Sequence, residues 1–215
     1  MAEDTDKPRL GIETQDIPQV GPDPVNELFV GQQGKIGSPR AAHHRAQQDG
    51  AIRGAARALQ RRGRHIVTTA VEHPSVQEVC RGLEEDGFRV TSLPVSAGGG
   101  LSAGAVADAV EDETILVVVM HVQNETGAVF PVERIARLAK ARSKKLLVDV
   151  DGVQAFGKLP VPGPEVDLYS NSGHKVHGPK GAGALRVGAR ARLKPIVAGG
   201  GQEHGLRSGT EPLPA

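Results

Sequence analysis

Hydrophobic positions follow two alternating patterns along the chain from residue 65 onward. Short runs rich in β-branched residues predict strands, and apolar residues three or four positions apart predict helices. The predicted strands are 65–69, 88–95, 114–120, 145–150, 167–170 and 182–187, and the predicted helices are 48–62, 76–83, 102–110 and 132–139. Strands that alternate with helices of about ten residues predict an α/β fold, a mostly parallel sheet with flanking helices.

Polar residues follow the carboxyl ends of four predicted strands. They are Glu72 and His73, the run Gln123-Asn124-Glu125, the pair Asp151 and Gln154, and the run Ser172-Gly173-His174-Lys175. Ligands of such sheets bind beyond the carboxyl ends of the strands. The pattern therefore predicts one site at this edge of the sheet.

Composition and charge exclude several classes of protein. The 26 Lys and Arg against 25 Asp and Glu leave a net charge of +1, without the polybasic character of a nucleic-acid or membrane-surface binder. The single Cys80 excludes an internal disulfide framework and a multi-cysteine metal site. The apolar run 115–120 is too short to span a bilayer, and the acidic start is unlike a secretory signal. We expect a soluble, cytoplasmic protein with no nucleic-acid or membrane partner.

The first 64 residues differ from the rest. Positions 1–31 carry seven acidic and two basic residues, with several prolines, whereas 32–64 carry eight basic residues and one acidic residue. The first pattern predicts little packed structure. The second is more typical of a solvated helix face than of a nucleic-acid site. We expect residues 1–47 to be an atypical, poorly ordered segment and residues 48–215 to form the folded domain.

Taken singly, the polar motifs leave alternatives open. Asp151 could cap a following helix, and Lys175 could be a solvated lysine of a Gly/Pro-rich loop rather than a semi-buried amine that forms a Schiff base. His174 and His177 could bind a metal with Asp151, but the Gly-Pro that follows His177 interrupts the helix this spacing needs. We therefore expect no metal site.

Six segments in a fixed order carry a family resemblance. They are residues 68–76 (TTAVEHPSV), 120–127 (MHVQNETG), 151–158 (DGVQAFGK), 172–181 (SGHKVHGPKG), 199–203 (GGGQE) and 206–211 (LRSGTE). Over about 51–215 the chain resembles the cysteine desulfurase and selenocysteine lyase group. These are class V aminotransferase relatives of the pyridoxal 5′-phosphate (PLP) fold type I. The resemblance implies a partial PLP-binding large domain over residues 48–215, with the C-terminal small domain absent.

The resemblance also implies catalytic roles. Lys175 would bind PLP covalently and move the substrate proton, and Asp151 would pair with the pyridinium nitrogen. His73 would stack on the ring and take part in acid–base steps. Asn124 and Gln154 would donate hydrogen bonds near the cofactor's phenolic oxygen and the substrate.

The same resemblance implies phosphate ligands and partners. Ser172 and His174 would bind the PLP phosphate, and Thr210 would reach the phosphate of the partner subunit's cofactor, which implies a homodimer. The substrate would be L-cysteine or selenocysteine, and sulfur from L-cysteine would pass to an acceptor or scaffold protein, as in iron–sulfur cluster assembly, leaving L-alanine.

Three departures from the family pattern bear on activity. The Thr-bearing phosphate segment that the family has before Ala51 is replaced here by residues 45–50 (RAQQDG), and Gly152 stands where the family has Ala. Cys80 occupies a buried-looking helix position and is not the family's sulfur-accepting cysteine. We therefore expect weakened PLP binding and impaired turnover. The alternative is a catalytically silent PLP-fold remnant or an interaction module.

Overall fold

The computed structural model describes residues 28–30 and 42–208, except 180–181, and it describes side chains from Gln48 onward. The strands are β1 (Leu28–Val30), β2 (His65–Thr69), β3 (Arg89–Leu93), β4 (Thr114–Met120), β5 (Leu147–Asp151), β6 (Leu168–Ser172) and β7 (Gly183–Val187). The α-helices are α1 (Ala42–Leu59), α2 (Pro74–Glu85), α3 (Ala103–Asp108) and α4 (Val132–Arg142). Short 3-10 helices span Gly173–Lys175 and Gln202–Gly205.

The described strands form one sheet in the order β1-β7-β6-β5-β4-β2-β3. β2 pairs in parallel with β3 and β4, and the parallel ladder continues through β5 to β6. β7 runs antiparallel to β6, and β1 runs antiparallel to β7. The prediction of an α/β fold with a mostly parallel sheet and flanking helices is confirmed.

Apolar side chains cover both faces of the sheet. One layer packs α1 and α2 against residues such as Leu116 and Leu147, and the other packs α3 and α4 against Val117 and Val148. All seven residues of β4 are buried, as expected for a central strand covered on both faces. Among the described residues, no helix is long and apolar enough to cross a membrane.

The boundaries of α2 follow from its sequence. His73 is the N-cap, its side chain accepting a hydrogen bond from the Ser75 amide, and Pro74 occupies the first turn, where no amide partner is needed. The helix ends before Gly87, which adopts a left-handed φ of 83° that favours glycine. This short connection places His73 directly beyond the end of β2.

The bounds of one predicted helix need correction. α1 begins at Ala42 and ends at Leu59, not at 48 and 62, so residues 45–50 are helical. The strand predicted over 182–187 is confirmed as β7, and it joins the sheet antiparallel. β1 and the first turns of α1 fall within the segment expected to be poorly ordered, and the rest of residues 1–47 lies outside the described part of the chain.

A buried ion pair fixes the entrance of β6. The Lys140 ammonium lies 2.9 Å from Asp167 Oδ2, which also accepts the Val148 amide at 2.8 Å. Arg190 Nε lies 3.6 Å from the other oxygen of Asp167. Because Asp167 is buried, these partners offset the cost of removing its charge from water.

Candidate active site

One edge of the sheet gathers the residues singled out by the sequence. β2, β4, β5 and β6 are neighbours and run in parallel, so the segments that follow them emerge at the same carboxyl edge. His73 follows β2, Asn124 follows β4, Asp151 ends β5 with Gln154 in the next turn, Ser172 ends β6, and His174 and Lys175 lie in the 3-10 helix beyond it. Thr210 lies outside the described residues.

His73 is half-buried and has a fixed ring orientation. Its Nδ1 accepts a hydrogen bond from the Ser75 amide at 3.1 Å and lies 2.8 Å from Ser75 Oγ. Because Nδ1 is an acceptor, the neutral imidazole carries its proton on Nε2. The cap of α2 therefore sets both the tautomer and the direction of this ring.

Asp151 is buried at the last position of β5. Its Oδ1 accepts the Val153 amide at 3.0 Å, which fixes the carboxylate in the turn after the strand. Gly152 is explained by packing: a Cβ atom at this position would lie 2.0 Å from Tyr169 Cζ. Tyr169 thus fills the space that an alanine side chain at position 152 would need.

Lys175 lies in the connection between β6 and β7. The amides of Val176 and Gly178 donate to the Gly173 carbonyl at 3.0 and 2.8 Å, and the Gly173 amide donates to Ala182 O at 2.8 Å. This compact turn fixes the backbone on both sides of the lysine. Its side chain is exposed, as in the solvated-lysine alternative left open by the sequence.

Ser172 and His174 form a polar pair beside Lys175. Ser172 is buried and His174 is exposed, and Ser172 Oγ lies 2.7 Å from His174 Nδ1. A hydroxyl and an imidazole held together at the end of a strand can donate to an anion that approaches from solvent.

The two amide residues differ in exposure. Asn124 is exposed, whereas Gln154 is half-buried in the turn after β5. The neighbouring Gln123 shapes the loop, because its Oε1 accepts the amides of Glu125 and Thr126 at 2.6 and 2.7 Å. Asn124 is thus presented at the tip of an ordered turn.

Glu72, one of the polar residues after the strand ends to which the sequence assigned no role, is a buried acid. Glu72 is buried, and its Oε1 accepts Thr69 Oγ1 at 2.7 Å and the Met120 amide at 3.0 Å, which joins the ends of β2 and β4. Burial raises the pKa of Glu72 to about 8, and the nearby Asp151 and Asp149 act in the same direction. The position of Glu72 in the polar run after β2 was the sequence feature that could have identified it as a site residue.

Two further buried groups lie deeper in the same region. Asp149 is fully buried in β5, and burial together with Asp151 raises its pKa well above the ordinary value. Gln48 of α1 donates a short hydrogen bond to Ser170 Oγ, which ties the helix to β6. Asp149 could be recognised in the sequence as an acid inside an apolar strand, but its surroundings could not be predicted.

Cys80 is buried in α2, as its position in the helical pattern predicted. Burial raises the pKa of its thiol to about 12, so the nucleophilic thiolate is scarce at neutral pH. In the described part of the chain, no group of three or more His, Cys, Asp or Glu side chains is arranged to hold a metal ion.

Comparison with known families assigns the fold. The profile described as aminotransferase class-V matches residues 46–212. The chain belongs to this family. The matched range includes His73, Asp151 and Lys175.

Individual relatives of this class-V aminotransferase chain include proteins named cysteine desulfurases. The mitochondrial cysteine desulfurase of Drosophila melanogaster is 47% identical over 168 residues, which are 76% of this chain and 36% of that protein. A structure titled NifS-like protein superposes with a TM-score of 0.78 at 36% identity, over 86% of this chain and 49% of the other. The chain therefore spans about half or less of the relatives it matches.

Two further structures carry small molecules in their titles. SspA in complex with cysteine has a TM-score of 0.76 and 36% identity, over 86% of this chain and 51% of the other. A C-DES variant with glycine covalently linked to its PLP cofactor has a TM-score of 0.67 and 25% identity, over 80% of this chain and 44% of the other.

Proposed function

We propose that this chain is the PLP-binding part of a cysteine desulfurase-type enzyme that acts on L-cysteine or selenocysteine. The observation that carries the proposal is the placement of Asp151, Lys175 and His73 beyond neighbouring parallel strands, in a chain whose relatives are named cysteine desulfurases. Asp151 is the buried carboxylate and Lys175 is the exposed amine of this set.

The donor set fits PLP group by group. Asp151, held by the Val153 amide, offers a fixed negative charge to a protonated ring nitrogen. The Lys175 amine suits the aldehyde, and the Ser172–His174 pair suits the phosphate. His73, with its ring direction set by Ser75, would lie against the ring face.

When bound, PLP supplies an electron sink that weakens bonds at the substrate α-carbon. The protein then has to position the substrate and move protons. Lys175 Nζ would carry the proton at the α-carbon, and His73 Nε2 would exchange a proton near the substrate sulfur. Asn124 and Gln154 would orient the substrate and the cofactor's phenolic oxygen by hydrogen bonds.

Sulfur transfer needs a nucleophilic thiol, and Cys80 is a poor candidate. Its side chain is buried against the sheet, and its pKa is raised to about 12. We therefore propose that another thiol, on an acceptor protein or a reductant, receives the sulfur. Without an added thiol we expect slow release of alanine.

Three further parts of the proposal rest on the family resemblance. They are a homodimer in which Thr210 contacts the phosphate in the partner subunit, a scaffold protein for iron–sulfur assembly, and a cytoplasmic location. A chromatographic mass of the PLP-loaded chain equal to one copy would contradict the homodimer.

Covalent capture of PLP tests the central proposal. The purified chain is mixed with PLP, its absorbance is recorded, and the adduct is fixed with borohydride and located by peptide mass spectrometry. We expect one reduced adduct on Lys175 and none in Lys175→Ala. Lys158→Ala is the matched control, because Lys158 is another exposed lysine of the same region and its Nζ donates to the Gln154 carbonyl.

The outcomes separate the enzyme from the silent alternative. An adduct confined to Lys175, with alanine release from L-cysteine that depends on Lys175 and added thiol, supports the enzyme. A colourless protein, or an adduct spread over several lysines, overturns the proposal and favours a remnant without cofactor chemistry.

A further inference from the structure

Asp149 is a carboxyl group in an apolar environment. It is 0% exposed, and its register neighbours across the sheet are Val118 on β4 and Leu168 on β6. Both neighbours belong to the apolar layer under α1 and α2. Among the described residues, neither oxygen of Asp149 has a hydrogen-bond partner of good geometry. A carboxylate there would be costly, whereas a protonated carboxyl is far cheaper to bury.

Asp149 also lies next to the proposed cofactor carboxylate. Residues two apart in a strand point to the same face, so Asp149 and Asp151 share one face of β5, about 7 Å apart along the strand. Two like charges so close in a buried region oppose each other's ionisation. The charge on Asp151 thus favours the proton on Asp149.

Two other titratable groups interact with Asp149. They are Glu72 from the turn after β2 and Cys80 from α2, and burial keeps both of them protonated at neutral pH. Arg53 on α1, which acts on Cys80, is paired with Asp49 at 2.6 Å and with Asp86 at 3.6 Å. Among the described groups that interact with Asp149, Asp151 therefore carries the charge that opposes its ionisation.

We propose that Asp149 is a proton-holding partner of Asp151, and that a cation on the Asp151 carboxylate lowers the pH at which Asp149 releases its proton. On release, the O–H bond of Asp149 breaks, its electron pair stays on the carboxylate, and the proton passes to solvent, while the cation balances one of the two charges. This inference rests on the proposed function, in which the cation is the protonated ring nitrogen of PLP. Over the pH range in which Asp149 titrates, cofactor binding would then release protons and would tighten as pH rises. Asp149 acts here through Asp151 and is a positioning residue.

The first test needs no cofactor. The infrared band of protonated carboxyl groups is followed from acid to alkaline pH in the wild-type chain, Asp149→Asn and Asp151→Asn. We expect the band at neutral pH to be weaker in Asp149→Asn, with the contribution of protonated Glu72 remaining, and the midpoint of the missing part to lie at least about one pH unit lower in Asp151→Asn. A band of equal strength in the wild-type chain and Asp149→Asn, or an unchanged midpoint in Asp151→Asn, would overturn the proposal. If either variant fails to fold, carbon-13 NMR of labelled aspartate in the wild-type chain reports the same ionisation.

The second test measures protons released on PLP binding, by calorimetry in buffers of different ionisation enthalpy. We expect the wild-type chain to release more protons on PLP binding than Asp149→Asn does. Glu72→Gln should release nearly as many protons as the wild-type chain, and therefore also more than Asp149→Asn. Equal release in the wild-type chain and Asp149→Asn would refute the coupling. Failure of every form to bind PLP would refute the proposed function instead, and the infrared titration would still decide whether Asp149 and Asp151 are coupled.

Discussion

Glu72→Gln should remove a large pH dependence of stability. Burial raises the pKa of Glu72 from its ordinary 4.5 to about 8, a difference of about 3.5 pH units. At about 1.4 kcal/mol per unit, the folded state favours the protonated acid by about 5 kcal/mol. Because the folded pKa is the higher one, this stability is complete below pH 4.5 and is lost as pH rises to about 8.

Glutamine has nearly the shape of the protonated acid. Its Oε1 can still accept Thr69 Oγ1 and the Met120 amide, while its amide group cannot ionise. Between pH 5 and pH 8 this group contributes about 3.5 kcal/mol of that loss, so we expect the wild-type melting temperature to fall by about 7–14 °C, and to fall much less in Glu72→Gln. Asp149 adds a slope of the same sign, which both proteins share.

Thermal unfolding followed by circular dichroism across this pH range measures the difference. Glu78→Gln is the matched control, since Glu78 lies on the exposed face of α2 and pairs with Arg81. Its profile should follow that of the wild-type chain. A Glu72→Gln profile as steep as the wild-type profile would refute the assignment of the slope to Glu72.

Two further predictions concern packing and buried charge. Lys140→Ala leaves the buried Asp167 without its nearest cation and should lower the free energy of unfolding by about 3 kcal/mol, whereas Arg142→Ala, which breaks an exposed pair, should cost less than about 1 kcal/mol. Urea denaturation compares them, and equal losses would contradict the role of burial. Gly152→Ala should cost about 1–3 kcal/mol in the same assay, because its Cβ would lie 2.0 Å from Tyr169 Cζ. An unchanged midpoint would show that Tyr169 moves aside freely.

Strand positions were predictable because burial leaves a local pattern. β4 is a continuous apolar run, and the structure buries all of it. The direction of β7 could not be predicted from its own residues, which suit a parallel or an antiparallel strand. The connection was the usable signal: ten residues join β6 to β7, whereas a parallel crossover needs about a dozen or more.

The candidate site was likewise predictable only in part. Residues such as Asp151 and His73 were found because they follow strand ends in a recognisable order. The state of a side chain depends on neighbours that are distant in sequence, so it could not be read: Lys175 is exposed, and Glu72 is tied to Met120, 48 positions away. The start of α1 was also missed, because residues 42–47 (AHHRAQ) carry no large apolar residues at helical spacing.

The N-cap of α2 makes the backbone amide of Ser75 sensitive to the protonation of the His73 imidazole. A doubly protonated ring has no lone pair on Nδ1, so His73 cannot then accept the Ser75 amide. Loss of such a cap costs about 1 kcal/mol and would let the first turn fray. Hydrogen exchange at Ser75 should therefore quicken whenever His73 takes up a second proton, and His73→Asn, which can still cap the helix, should separate the loss of the ring from the loss of the turn.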